Sequence, residues 1–87
     1  MTTQRIKLCE LAVGDRAEVR ALLSRRAIRR RLQDLGLVED TAVECIGKSP
    51  GGGMSAYLIQ GAVIALRDED AAQVLVSPQE SDGAKWD

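Results

Sequence analysis

Residues 16–22 alternate along the chain: Ala17, Val19 and Ala21 fall on one side, Glu18 and Arg20 on the other. That two-residue period is the mark of a half-buried strand. The period then changes. Ile28, Leu32 and Leu35 stand at i, i+4 and i+7, within about 40° of one another at 100° per residue. The spacing predicts an amphipathic helix over 25–35, with Ser24 at its N-cap and Gly36 at its end. Arg25, Arg26, Arg29 and Arg30 occupy the arc opposite the aliphatic stripe, and Arg31 its flank. Past Gly36 the helical period stops. Thr41-Ala42-Val43-Glu44-Cys45-Ile46 is β-branched and roughly alternating, hence a strand. Ser49-Pro50-Gly51-Gly52-Gly53 reads as a flexible loop. Residues 55–59 and 62–67 form two more strands around Gln60-Gly61, the length of a two-residue hairpin turn. Asp68-Glu69-Asp70-Ala71-Ala72 predicts one capped helical turn with acids at the end the helix dipole favours. Val74-Leu75-Val76 is the last predicted strand, and Ile6–Leu11 is a short apolar lead-in closed by Gly14-Asp15.

About five short strands, one real helix and closely spaced turns do not suit a parallel sheet, which needs a crossover helix between successive strands. They suit a mainly β fold: a small, curved antiparallel barrel with the amphipathic helix capping one end. The composition agrees. The chain has 87 residues, 45% of them apolar, with one Trp, one Tyr and no Phe, so the core must be aliphatic. Expected lining residues are Val19, Val43, Ile64, Leu66 and Val74, sealed by Ile28, Leu32 and Leu35. One domain is expected over 1–77. From Pro78 to Asp87 the chain turns polar and acidic and is expected to be a disordered tail.

Charge points to a single element. The formal net charge is −1, yet residues 68–87 carry six acids against Lys85, leaving residues 1–67 at +4. The segment 24–36 alone holds five arginines against Asp34, which is also +4. All the positive excess therefore lies on the helix, and that is where a partner is to be sought.

Several chemistries find little support. There is no histidine, the side chain best suited to proton transfer near neutral pH. No G-x-x-x-x-G-K-[ST] appears, so the chain is not expected to bind GTP itself. Cys9 and Cys45 stand 36 positions apart amid apolar neighbours, with neither disulfide-framework nor metal-ligand spacing. No enzymatic activity, no tight metal site and no cofactor are expected. With a sequence pI near 5.4 and Tyr57 as the sole aromatic on a strand, no stacking platform for nucleic acid is expected either. Arg5, Lys7, Glu10, Asp15, Arg16 and Glu18 break up the first twenty residues. That excludes a signal-peptide core there, and no apolar run approaches the roughly 18–20 residues of a membrane span. A cytoplasmic location is the expectation.

The run Ile28-Arg29-Arg30-Arg31-Leu32-Gln33-Asp34-Leu35-Gly36-Leu37 is followed by Thr41-x-Val43-Glu44 and Ser49-Pro50. Then comes Ala56-Tyr57-Leu58-Ile59-Gln60-Gly61-Ala62-Val63-Ile64-Ala65-Leu66-Arg67. Together these resemble the bacterial ferrous iron transport protein A family, FeoA, over about residues 6–76. One departure is visible: where the family often has Gly-Asp-Pro after its Ser-Pro pair, this chain has Gly51-Gly52-Gly53-Met54. The resemblance implies an SH3-like barrel and a cytoplasmic role beside FeoB, the membrane ferrous iron transporter with a GTP-binding region. It equally suits a metal-responsive or signalling SH3-like module with another protein target, because the fold also occurs as the C-terminal domain of iron-dependent repressors.

The candidate partner-binding residues are Arg25, Arg26, Arg29 and Arg30. A basic arc whose first turn opposes the helix dipole would dock on an acidic protein surface or on anionic headgroups beside a membrane protein. The competing reading is a solvated face partly neutralised by an Arg30–Asp34 pair or by the acidic tail.

Overall fold

A computed structural model describes residues 4–79. Six strands form one antiparallel sheet: β1 (Ile6–Lys7), β2 (Arg16–Leu22), β3 (Ala42–Lys48), β4 (Met54–Ile59), β5 (Ala62–Arg67) and β6 (Val74–Pro78). Their spatial order is β1-β6-β2-β3-β4-β5. Helix α1 spans Arg26–Asp34, and α2 is a single turn over Asp68–Ala71. Register shifts between Val19 and Ala21 and between Cys45 and Gly47 bend β2 and β3, as bulges do. The sheet curls around one aliphatic core, but its end strands β1 and β5 do not pair with each other.

The core is nearly what the alternation predicted. Val19, Val43, Leu66 and Val74 are buried, joined by Leu8, Leu11, Ala17, Leu37, Cys45, Ile59 and Val76, with Ile64 packed at its margin. Cys45 behaves as a small hydrophobe, as expected. Gln60 and Gly61 both have positive φ, +50° and +82°. This is the type I′ hairpin turn whose twist matches the flanking strands.

Several details depart from the sequence reading. A sixth strand exists because Ile6 and Lys7 pair with Val76 and Leu75, a stretch too short to show a period. Ser24 is not the N-cap. The Leu23 amide bonds the Gln73 carbonyl at 2.7 Å, so the chain stays with the sheet one residue longer. Arg25 becomes the N-cap without a side-chain bond, and the Ser24 hydroxyl is buried without a partner among the described residues. Asp68 is likewise the first residue of α2 rather than its cap. Its carboxylate accepts from the Gly53 amide at 3.2 Å and the Ser55 hydroxyl at 3.1 Å. The Asp68 amide bonds the Gly53 carbonyl at 2.8 Å, and the Ser49 hydroxyl donates to the Gly52 carbonyl at 2.6 Å. The glycine loop, read as flexible, is thus tied at both ends.

At its C-terminal end the last strand runs longer than the expected Val74–Val76. β6 runs to Pro78, which sits opposite Ala17, and the Gln79 amide bonds the Arg16 carbonyl at 2.9 Å. The ordered chain therefore passes the expected boundary at 77. The rest of the expected acidic tail, 80–87, lies outside the described residues. A chain ending at Ser77 is expected to be less stable than one ending at Gln79 by about 0.5–1.5 kcal/mol, the net worth of one hydrogen bond. A lower urea midpoint at unchanged slope would report it.

Tyr57 is fully buried, and its hydroxyl donates to the Leu8 carbonyl at 3.4 Å. Burial pushes its phenol up from 10.0 to about 12; a hydrogen bond with Ser55 opposes the shift, and the proximity of Cys45, Asp68 and Cys9 adds to it. The native state thus disfavours phenolate more than the unfolded chain does. This contribution to stability is whole below pH 10, the unfolded value, and is lost as pH rises through about 12. Tyr57→Phe is expected to flatten that alkaline loss relative to the wild type, measured by urea unfolding between pH 9 and 12.

A candidate docking face on helix α1

Helix α1 is anchored at one end. It closes in a Schellman motif: the Leu37 amide bonds the Leu32 carbonyl at 3.1 Å and the Gly36 amide the Gln33 carbonyl at 2.9 Å, while Leu32 and Leu37 are both buried. Gly36 takes φ +104°, and a Cβ there would lie 3.0 Å from Ile59 Cγ2, so both backbone and space require glycine. The other end lifts away. Ile28, expected to seal the barrel with Leu32 and Leu35, is 44% exposed. The core reaches only the C-terminal half of the nine-residue helix, where Leu32 is buried and Leu35 partly so.

Of the expected arc of Arg25, Arg26, Arg29 and Arg30, three residues lie together. Arg26, Arg29 and Arg30 line one shallow depression with Ala27 and Gln33. Arg25 stands apart as the exposed N-cap residue. Arg31, placed on the flank, lines a groove on the opposite side of the helix with Ile28, Leu32 and Leu35. Among the described residues none of these five arginines is in an ion pair; the pairs that form use Arg16, Arg20 and Arg67. The expected Arg30–Asp34 pair is absent. At an exposed site that spacing gains only tenths of a kcal/mol, and with the basic residue first it is the weaker order. The first turn has no acid, and no side chain caps it, so the positive end of the helix and the guanidinium groups add together.

No group of three or more His, Cys, Asp or Glu side chains could hold a metal among the described residues. No described helix is long and apolar enough to cross a membrane.

The FeoA domain model matches residues 6–78. The chain belongs to the FeoA family, which is associated with ferrous iron transport. FeoA of Chlorobium tepidum is 33% identical, with a TM-score of 0.82 over 94% of this chain and 81% of that one. FeoA of Stenotrophomonas maltophilia, a prokaryotic SH3-domain protein solved with zinc, is 31% identical, with a TM-score of 0.72 over 88% and 91%. The fold is thus SH3-like, mainly β with a helix at one end, as the residues led one to expect. A manganese-dependent transcriptional repressor shares the fold, with a TM-score of 0.80 at 19% identity over 91% of this chain and 44% of the repressor. No curated protein sequence matches the chain.

The sequence reading missed the groove beside Arg31. Its far wall is Ile64–Arg67 and Met54, more than twenty positions away in the chain. The nearest signal is the run Ala62-Val63-Ile64-Ala65-Leu66, which carries no charge or proline to protect a strand edge.

Proposed function

We propose that this FeoA-family chain is a non-catalytic, cytoplasmic accessory protein of bacterial ferrous iron uptake, acting by contact with the cytoplasmic GTP-binding region of FeoB. The observation that carries this reading is the arginine face, unpaired among the described residues, on a domain that lacks histidine. Arg26, Arg29 and Arg30 and the N-terminal end of α1 offer one positive surface to an acidic partner. Exposed cations of this kind add little to folding, but they steer association. Nucleic acid is the poorer partner, because the one strand aromatic, Tyr57, is buried.

Binding of the purified chain to the purified FeoB cytoplasmic region, followed by biolayer interferometry over a range of salt, tests the reading. Saturable binding that weakens with salt is expected. No binding at low salt would overturn it.

The zinc bound to the Stenotrophomonas protein favours a second reading, in which the domain is a metal-responsive module for another protein target. Repeating the measurement with and without ferrous ion or zinc separates the two. The adaptor reading expects no metal dependence.

A further inference from the structure

An antiparallel strand with one face in water normally turns polar residues to that face. The β4–β5 hairpin does not. Ser55, Tyr57 and Ile59 of β4 and Leu66 of β5 are buried. That sets Met54, Ala56 and Leu58 on the outer face, opposite Arg67, Ala65 and Val63 in turn. Five of these six side chains are apolar. Val63 is 66% exposed, Met54 and Leu58 are exposed as well, and so is Ile46 at the β3 bulge. Half of the eight large apolar side chains exposed among the described residues thus stand on three adjacent strands. A contiguous patch of that kind marks a surface that something covers.

The register also shapes the patch. Leu58 and Val63 pair across one end and Met54 and Arg67 across the other, with Ala56 and Ala65 between them. The middle is therefore a shallow hollow with bulkier side chains at both ends.

The chain leaves the sheet beside this face. Pro78 sits opposite Ala17, and the Gln79 amide bonds the Arg16 carbonyl at 2.9 Å. Arg16 pairs with Glu44, Glu44 with Leu58 and Leu58 with Val63, so Gln79 stands in one row with the near end of the hollow. All neighbouring strands are antiparallel, so β6, β3 and β5 run one way and β2 and β4 the other. Ala56 and Ala65 consequently lie two residues, about 7 Å, farther along the direction in which β6 leaves. From β6, three steps across the sheet reach β4 and four reach β5, at about 4.8 Å each. The alanine pair is thus about 16–20 Å from Gln79 along the surface.

Residues 80–87 are Glu-Ser-Asp-Gly-Ala-Lys-Trp-Asp. Trp86 is seven residues past Gln79, a length that spans up to about 23 Å. Ala84 and Trp86 are two apart, so an extended backbone turns both to one side and leaves Lys85 and Asp87 to the water.

We propose that residues 80–87 fold back over the outer face of the β4–β5 hairpin and seat Trp86 over Ala56 and Ala65, between the Leu58–Val63 and Met54–Arg67 pairs. The indole gives this face the apolar cover it lacks. Tethering favours this occupant over a second copy, because a short link holds the segment at an effective concentration in the millimolar range. Any partner that uses the face must first displace Trp86. The contact involves none of the α1 arginines and does not depend on the iron-uptake reading.

Trp86 is the one tryptophan of the chain, so its fluorescence reports on the segment directly. In dilute full-length protein, acrylamide should quench it at least about threefold less than it quenches a synthetic peptide of residues 78–87, the factor for a segment docked about two-thirds of the time. Leu58→Thr with Val63→Thr keeps strand-compatible side chains on an exposed face and should bring quenching back to the peptide's value. A methyl NMR spectrum leaves the barrel untouched. Trp86→Ala should move the Leu58 and Val63 methyls, which lose the indole ring current, and not those of Leu23 at the far end of β2. Peptide-like quenching in the wild type, or Leu58 and Val63 methyls indifferent to Trp86→Ala, would overturn the proposal. So would protection of Trp86 that grows with protein concentration, marking a second copy, or that Arg26→Glu with Arg30→Glu abolishes, marking the arginine arc as the seat of the segment.

Discussion

Replacing Leu32 by Ala is expected to lower the free energy of unfolding by about 2–5 kcal/mol, the range for truncating a buried leucine. Leu32 is 2% exposed and does two things at once. It fills the space between the helix and the barrel, and it forms the hydrophobic contact of the Schellman motif with Leu37, whose amide bonds its carbonyl. The cavity left behind cannot readily collapse, because the end of the helix is fixed by its Schellman bonds and by the close approach of Gly36 to Ile59, where even a Cβ would lie 3.0 Å from Cγ2. A domain of this size has roughly 5–15 kcal/mol in total, so the urea midpoint should drop steeply. Ile28→Ala sits on the same helical stripe but at 44% exposure, and should cost less than about 1 kcal/mol. Equal losses from the two substitutions would show that the helix is seated along its whole length rather than at its C-terminal end.

The pair Leu32 and Ile28 also shows what periodicity reveals. A helical wheel gives the direction in which a side chain points, and all three stripe residues do point one way. It does not say how far along the axis the core extends, and here the core stops short of Ile28. Turn chemistry was more legible than caps. Gln60-Gly61 fixed its own hairpin because both residues accept positive φ. Ser24 lost its cap because a distant backbone bond, Leu23 to Gln73, held the chain in the sheet. Pairings that depend on partners far away in sequence were invisible for the same reason: β1 on β6, Asp68 on the glycine loop, and the groove between α1 and β5. The arginine arc was legible as a charge pattern. The grouping of Arg26, Arg29 and Arg30 on one side and Arg31 on the other follows from the 100° step of the helix, which sets Arg31 beside the aliphatic stripe.

Reversing charge at Arg26 and Arg30 together is expected to leave the barrel intact and to slow association with the FeoB cytoplasmic region at least about tenfold at low salt, if that region is the partner. Both side chains are exposed and unpaired among the described residues, so each change should alter stability by no more than about 0.5 kcal/mol. Glutamate at position 26 would even suit the first helical turn by some tenths of a kcal/mol. The two effects therefore move in opposite directions, which distinguishes a docking role from a structural one. The association rate of the wild type should fall steeply as salt rises from a few tens of millimolar to physiological strength, over which the Debye length shrinks to about 8 Å. In the double variant that slope should be nearly flat, with dissociation changed much less. Gln33→Glu, in the same depression but replacing no arginine, should give an intermediate loss. Association of the double variant at the wild-type rate in low salt would make the arc a solvated face.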